Sequence, residues 1–107
     1  MREILIPTSK GVKAVPEENI IRIEASSNYC KIIIINDRPL VVAKVLLWFQ
    51  DNLPKDMFYR IHRTHIINRM YVNEIIESST VKLTNGDIIQ ISRRRKDQAD
   101  QLLLRSA

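Results

Sequence analysis

The chain is predicted to be mainly β, with one short helix near its middle and another at its C-terminal end. Three patterns carry this expectation. Ile20-Ile21-Arg22-Ile23-Glu24 and Tyr29-Cys30-Lys31-Ile32-Ile33-Ile34-Ile35 are runs rich in β-branched residues, parted by the polar cluster Ser26-Ser27-Asn28. Asn85-Gly86 separates two alternating segments, Val81-Lys82-Leu83 and Ile89-Gln90-Ile91, as a hairpin turn would. The stretch from Val42 to Leu53 instead repeats its apolar residues at helical spacing.

Taken in chain order, Met1-Arg2-Glu3 leads into Ile4-Leu5-Ile6, a run that Pro7 stops and that is too brief for a secretory apolar region. The four isoleucines from Ile32 to Ile35 indicate a strand covered, at least in part, on both faces. After Asn36-Asp37 the chain returns as a strand from Arg38 to Ala43. Val42, Leu46, Phe49 and Leu53 then fall on one face of a helix that Pro54 ends. Trp48 lies off that stripe and is expected to cap the core or cover an edge. Base stacking is the functional alternative, disfavoured because nothing basic surrounds it closely.

Strands resume after Met57. In the Asn85-Gly86 hairpin a two-residue turn would pair Lys82 with Ile89 and mix charged with apolar side chains on one face. A three-residue loop, Thr84-Asn85-Gly86, pairs Val81 with Ile89, keeps Leu83 and Ile91 on one side, and gives Gly86 the left-handed position. The three-residue loop is preferred. In the closing helix Ser92 is the expected cap, and Ala99, Leu102 and Leu103 form the apolar face. Its first turn carries Arg93-Arg94-Arg95-Lys96, where the helix dipole favours acidic residues. An anion bound at that end explains the choice; local stability does not.

With 107 residues, 45% of them hydrophobic and 27% charged, residues 1–107 are read as a single globular domain. One cysteine cannot form an internal disulfide, which fits a reducing, cytoplasmic setting. The longest apolar stretch, Leu40 to Phe49, is broken by Lys44 and cannot cross a bilayer. Net charge is +5, and it is unevenly placed: residues 1–59 hold 8 basic and 7 acidic side chains, residues 60–107 hold 9 and 5. The excess coincides with two basic blocks, Phe58 to Arg69 and Ser92-Arg93-Arg94-Arg95-Lys96, and points to a polyanionic partner.

Catalytic and metal readings find little support. His62 and His65 form an H-x-x-H pair, but on one strand that spacing sends the rings to opposite faces, and no Cys or carboxylate cluster supplies a third ligand. Cys30 has basic near neighbours, yet a single strand Cys is usually a small hydrophobe. There is no glycine-rich phosphate loop and no nucleophile elbow. The expectation is a protein that is not an enzyme and carries no metal or cofactor.

Phe58-Tyr59-Arg60-Ile61-His62-Arg63-Thr64-His65-Ile66-Ile67-Asn68, followed by the strand Val72-Asn73-Glu74-Ile75, resembles the signature of the LytTR DNA-binding domain. Ile23-Glu24-Ala25-Ser26-Ser27-Asn28-Tyr29, the helix Lys44 to Leu53, Leu83-Thr84-Asn85-Gly86 and Ile91-Ser92-Arg93-Arg94 resemble the other landmarks of that family in order. The likeness covers about residues 12 to 104. Two positions depart from the signature: Thr64 stands where Ser is usual, keeping a hydroxyl, and His65 stands where an aromatic is usual.

The resemblance implies an elongated arrangement of small, mostly antiparallel sheets with one or two short helices. It implies a bacterial transcription regulator of the response-regulator, two-component type. Such a domain binds double-stranded DNA through loops in successive major grooves and bends it, on direct repeats, with a phospho-receiver domain upstream and a dimer on DNA as further expectations. Carried over by position, the DNA-contacting residues are Asn28, Tyr29, Lys31, His62, Arg63, Arg93, Arg94 and Arg95, with His62-Arg63 at a turn between strands. Arg63 and Arg94 are the expected base readers, since Arg offers guanine a paired donor; Lys31, Arg93, Arg95 and Lys96 are expected on phosphates. Asn28 could read adenine or simply form its turn, and Tyr29 is expected half in the core and half against the DNA backbone. The alternative is a basic protein-interaction or RNA-binding module. RNA modules of this size present exposed aromatics on a sheet, whereas the six aromatics here sit mostly at positions that look buried.

Overall fold

The computed structural model describes residues 2–77, 79–97 and 99–101. Ile4 and Ile6 point inward and alternate with exposed Leu5 and Pro7, so the first segment is a strand rather than a stopped apolar run. It is β1 (Glu3–Thr8), which continues through Pro7 and pairs with β2 (Gly11–Pro16) in a two-stranded sheet. Proline is tolerated there because a two-stranded ribbon is all edge.

The centre of the domain is a five-stranded antiparallel sheet. Its strands are β3 (Ile20–Ser26), β4 (Tyr29–Ile34), β5 (Leu40–Val42), β6 (Phe58–His62) and β7 (His65–Asn68), in the order β5-β4-β3-β7-β6. The helix α1 (Leu46–Asn52) joins β5 to β6. A third sheet contains β8 (Val72–Ile76), β9 (Thr80–Leu83) and β10 (Ile88–Gln90), in the order β10-β9-β8. The resulting body measures 42 × 29 × 23 Å. Mainly β, elongated and built of small antiparallel sheets, it has the expected architecture.

Both faces of the central sheet are covered. On one face Ile20, Ile23, Cys30, Ile32, Ile34, Val42, Phe58 and Ile66 pack against the β1–β2 hairpin and against Leu46, Phe49 and Leu53 from α1. On the other, Ile21, Ile61 and Ile67 meet Val81, Leu83, Ile89 and Ile91 of the third sheet, and Ala99. A bulge between Ile20 and Arg22 lets the consecutive residues Ile20 and Ile21 serve opposite cores. The isoleucine run divides in the same way: Ile32 and Ile34 lie in the first core, Ile33 packs against the second, and Ile35 is exposed. The double cover read from that run is present over three of its four residues.

Several local expectations hold and some do not. The β9–β10 hairpin pairs Val81 with Ile89 around Thr84-Asn85-Gly86; Gly86 has φ +94°, where a β-carbon is penalised. Leu46, Phe49 and Leu53 form the buried stripe, but Val42 does not belong to the helix. It pairs with Cys30 in β5 and reaches the same core from a strand. Trp48 does cover the core partly, yet Lys44 Nζ stands 5.5 Å from its ring centroid, so a basic neighbour is present after all. Cys30 is fully buried, and burial pushes its thiol pKa up, as suits a small core residue. Ser92 precedes a 3-10 turn, Arg93–Arg95, without making a side-chain capping bond; its backbone carbonyl accepts from the Arg95 amide at 3.1 Å. Leu102 and Leu103 lie outside the described residues.

Candidate nucleic-acid interface

β3 and β7 pair antiparallel with Glu24 opposite His65, which brings two turns to the same end of the central sheet. One is Ser27-Asn28 between β3 and β4; the other is Arg63-Thr64 between β6 and β7. The amide of Ala25 donates to the carbonyl of Thr64 at 2.8 Å and ties the two together. The amide of Ser92 donates to the carbonyl of Ile61 at 2.9 Å, so Arg93–Arg95 lies beside the end of β6. Three segments far apart in sequence therefore form one row: the Ser27-Asn28 turn, the Arg63-Thr64 turn and the arginine turn.

Of the expected contact residues, Asn28, Tyr29, Arg63, Arg93 and Arg94 are exposed on this row, while His62 and Arg95 are half-buried. His62, Arg63, Ser92, Arg94 and Arg95 line one cavity of about 490 Å³. Lys31 is set back: it lies two residues into β4, opposite Glu24, and is half-buried. Tyr29 is 42% exposed and belongs to neither core, as the first residue of its strand, at the turn end of the sheet. The positive φ of the Ser27-Asn28 turn belongs to Ser27, at 55°, which removes backbone strain as the reason for Asn28.

The H-x-x-H pair is arranged differently from expectation. Arg63-Thr64 is a two-residue turn, so His62 and His65 face each other across the β6–β7 ladder with ring centroids 5.8 Å apart. The rings share one side. Thr64 Oγ1 sits between them, 2.7 Å from His62 Nδ1 and 2.9 Å from His65 Nδ1. Among the described residues no group of three or more His, Cys, Asp or Glu is placed to hold a metal ion.

Behind the turn is a polar chain that sequence reasoning missed. Arg22 Nη1 donates to Glu24 Oε1 at 2.7 Å, and Arg22 Nε donates to Asp87 Oδ2 at 2.8 Å, joining the central sheet to the β9–β10 loop. Glu24 Oε1 is also 3.5 Å from His65 Nε2. Arg60, counted by sequence within a basic patch, serves the fold: it donates to Gln50 Oε1 on α1 at 3.0 Å and to the carbonyl of Arg63 at 2.8 Å. Burial and the nearby Arg95 charge both lower its pKa.

These contacts fix a pH dependence. The Arg22 hydrogen bond holds the Glu24 carboxyl below its usual range. Burial alone would raise the Asp87 carboxyl, but bonds from Arg22 and Asn85 outweigh it and lower it too. Burial, then the charges of Arg22 and His62, depress His65 despite Glu24. A depressed imidazole is neutral when folded while the unfolded chain still binds a proton, so its destabilising effect begins as pH falls through the ordinary value of 6.5. The two carboxylates stabilise the fold at neutral pH, and that contribution is lost below their ordinary values of 4.5 and 3.8. Urea midpoints are expected to fall in two stages on acidification, and His65→Gln is expected to remove the upper stage only. An unchanged profile in that variant would show that His65 does not carry it.

A family model described as the LytTr DNA-binding domain matches residues 10–104. A solved structure described as the LytTr DNA-binding domain of a methyl-accepting/DNA response regulator from Bacillus cereus superposes with a TM-score of 0.80. The two are 23% identical, over 96% of this chain and 97% of the other, so that likeness speaks for the fold. None of the curated proteins compared matches the chain. With nearly its whole length matched by the family model, the chain belongs to the LytTR family of DNA-binding domains.

Proposed function

We propose that residues 1–107 are a single DNA-reading domain of a cytoplasmic transcription regulator, which binds double-stranded DNA sequence-specifically and bends it. The observation that carries this reading is the row of three segments at one end of the central sheet, where exposed Arg63 and Arg94 line one cavity and exposed Arg93 belongs to the same arginine turn. Arg63 and Arg94 are the base readers. Asn28 and Tyr29 approach from the neighbouring turn, His62 contacts the duplex from the cavity it shares with Arg63, and Lys31, Arg93, Arg95 and Lys96 hold phosphates.

The dimensions favour a bent duplex. Counted in strand spacings of about 4.8 Å, the row spans roughly 20 Å from the first turn to the third. Successive major grooves on one side of straight DNA are about 34 Å apart. Loops entering both therefore require the duplex to curve toward the protein. Direct repeats, a second copy on the DNA and an upstream phospho-receiver domain complete the reading.

RNA binding is the weaker alternative. Both faces of the central sheet are covered, and among the described residues Tyr29 is the one strongly exposed aromatic. A stacking platform is therefore missing from that sheet. Mobility shifts with duplex selected from a random pool, circularly permuted around the bound site, test the proposal. The expected result is position-dependent mobility, with log affinity falling against log salt at a slope of about −3 to −4 for four phosphate contacts. Preference for structured RNA over duplex would overturn the proposal.

A further inference from the structure

Thr64 lies between the two imidazoles, and its hydrogen bonds decide which nitrogen of His62 carries a proton. The Thr64 amide donates to His62 Nδ1 at 3.2 Å. An amide N–H can only donate, so Nδ1 is the accepting nitrogen of that ring. The approach of Thr64 Oγ1 to the same atom, at 2.7 Å, is then a hydrogen bond only with the hydroxyl as donor. Having given its one proton to His62, Oγ1 accepts at its 2.9 Å contact with His65, so the hydrogen there is on His65 Nδ1.

The neutral His62 ring thus keeps its hydrogen on Nε2. Both bonds of this ring run through Nδ1, and the ring lines the cavity shared with Arg63, Arg94 and Arg95. Guanidinium groups are donors without an accepting atom. A floating tautomer would set a lone pair among them part of the time; the fixed one adds a fourth donor. Such a wall suits acceptors such as guanine N7 or a phosphate oxygen, and rejects the amino edges of adenine and cytosine.

We propose that Thr64 is a positioning residue that fixes His62 in the Nε2–H tautomer, so that His62 meets the duplex as a hydrogen-bond donor. This rests on the duplex-binding reading above. Thr64 acts through His62 and touches no base itself. His65 is the second support of the hydroxyl, which gives a purpose to an imidazole at that position.

Long-range imidazole nitrogen–proton correlations on the free domain, at a pH above the ordinary imidazole range, test the tautomer without DNA. The expected spectrum has a bare Nδ1 and a protonated Nε2 for His62. Thr64→Val keeps the shape and the amide but loses the hydroxyl. It is expected to mix the tautomers and weaken binding to the duplex selected by the wild-type domain about five- to tenfold, the size of one hydrogen bond. Thr64→Ser restores both readouts.

On the selected duplex, 7-deazaguanine abolishes the difference between wild type and Thr64→Val if the acceptor is a base. A methylphosphonate abolishes it if the acceptor is the backbone; either supports the proposal. A His62 proton found on Nδ1 in the wild type overturns it. So does a Thr64→Val domain with unchanged tautomer and affinity, or a difference that neither modified duplex removes. A wild-type domain that shows the Nε2–H tautomer yet selects no duplex overturns the donor role together with the DNA reading, and leaves the hold of Thr64 on the ring intact.

Discussion

Asn68→Ala is expected to destabilise the domain by about 2–4 kcal/mol, because it orphans two backbone groups at once and leaves a small void. Asn68 is fully buried at the end of β7. Its amide Nδ2 donates to the carbonyl of Ile20 at 2.9 Å, and its Oδ1 accepts from the Met70 amide at 2.9 Å. The first bond spans 48 residues and satisfies the carbonyl next to the β3 bulge; the second starts the 3-10 turn Arg69–Tyr71. No apolar residue replaces both.

Asn68→Asp separates the two roles. It keeps an acceptor for Met70 but brings an acceptor, and a charge, against the Ile20 carbonyl, so it is expected to cost at least as much. Thermal unfolding checks both, with the midpoint falling by roughly 10–20 °C for Asn68→Ala. If both variants melt within a degree or two of the wild type, the side chain is not the joint it is described as.

The second large effect is expected on DNA. Arg63→Ala and Arg94→Ala are each predicted to reduce the preference for selected over random duplex by about 10- to 100-fold, corresponding to 1–3 kcal/mol for a paired contact to a base. Arg93→Ala, on a phosphate, is predicted to weaken all duplexes alike and to flatten the salt slope by about one unit. Competition mobility shifts across a salt series separate the two kinds of loss. Because Arg63 and Arg94 line the same cavity, their double variant is expected to lose less than the product of the single losses. An Arg63 or Arg94 variant with undiminished preference would remove that residue from the reading head.

The strands β3 and β4 and the register of the β9–β10 hairpin were legible because period and turn chemistry agree there: Gly86 takes the positive φ that a three-residue loop needs. The Arg63-Thr64 turn was not legible from local pattern; the family resemblance alone placed a turn there, one residue early at His62-Arg63. It contains no Gly, Pro, Asn or Asp, and it lies between Ile61 and Ile66, so the stretch reads locally as one strand. That concealed turn reversed the placement of the two histidines. The β1–β2 hairpin was hidden for a related reason, since Pro7 signals a stop and only a ribbon without interior strands accommodates it. Arg22 to Asp87 joins residues 65 apart, and no local pattern announces such a pair.

At the site, the basic composition located the second block, but it grouped Arg60 with Arg63 although one braces α1 and the other faces outward. Charge alone does not distinguish a guanidinium that holds the chain from one that is offered to a ligand. The partners do, and those come from another element. Asn28, Tyr29, His62, Arg63 and the three arginines gather because β3 pairs with β7, a pairing between strands that are not neighbours in sequence.

The double cover of the central sheet has a consequence for the energetics of recognition. The Arg63-Thr64 turn closes two strands whose opposite faces are locked into separate cores, and three further hydrogen bonds, two with β6 side chains and one with the Ala25 amide of β3, hold its backbone. Amide hydrogens around it should exchange only when the whole domain opens. A reading head held this way surrenders little conformational entropy on contact, so the work of mutual adjustment falls on the duplex. Discrimination among sites would then be weighted toward how easily a sequence bends, even at base pairs that no side chain touches.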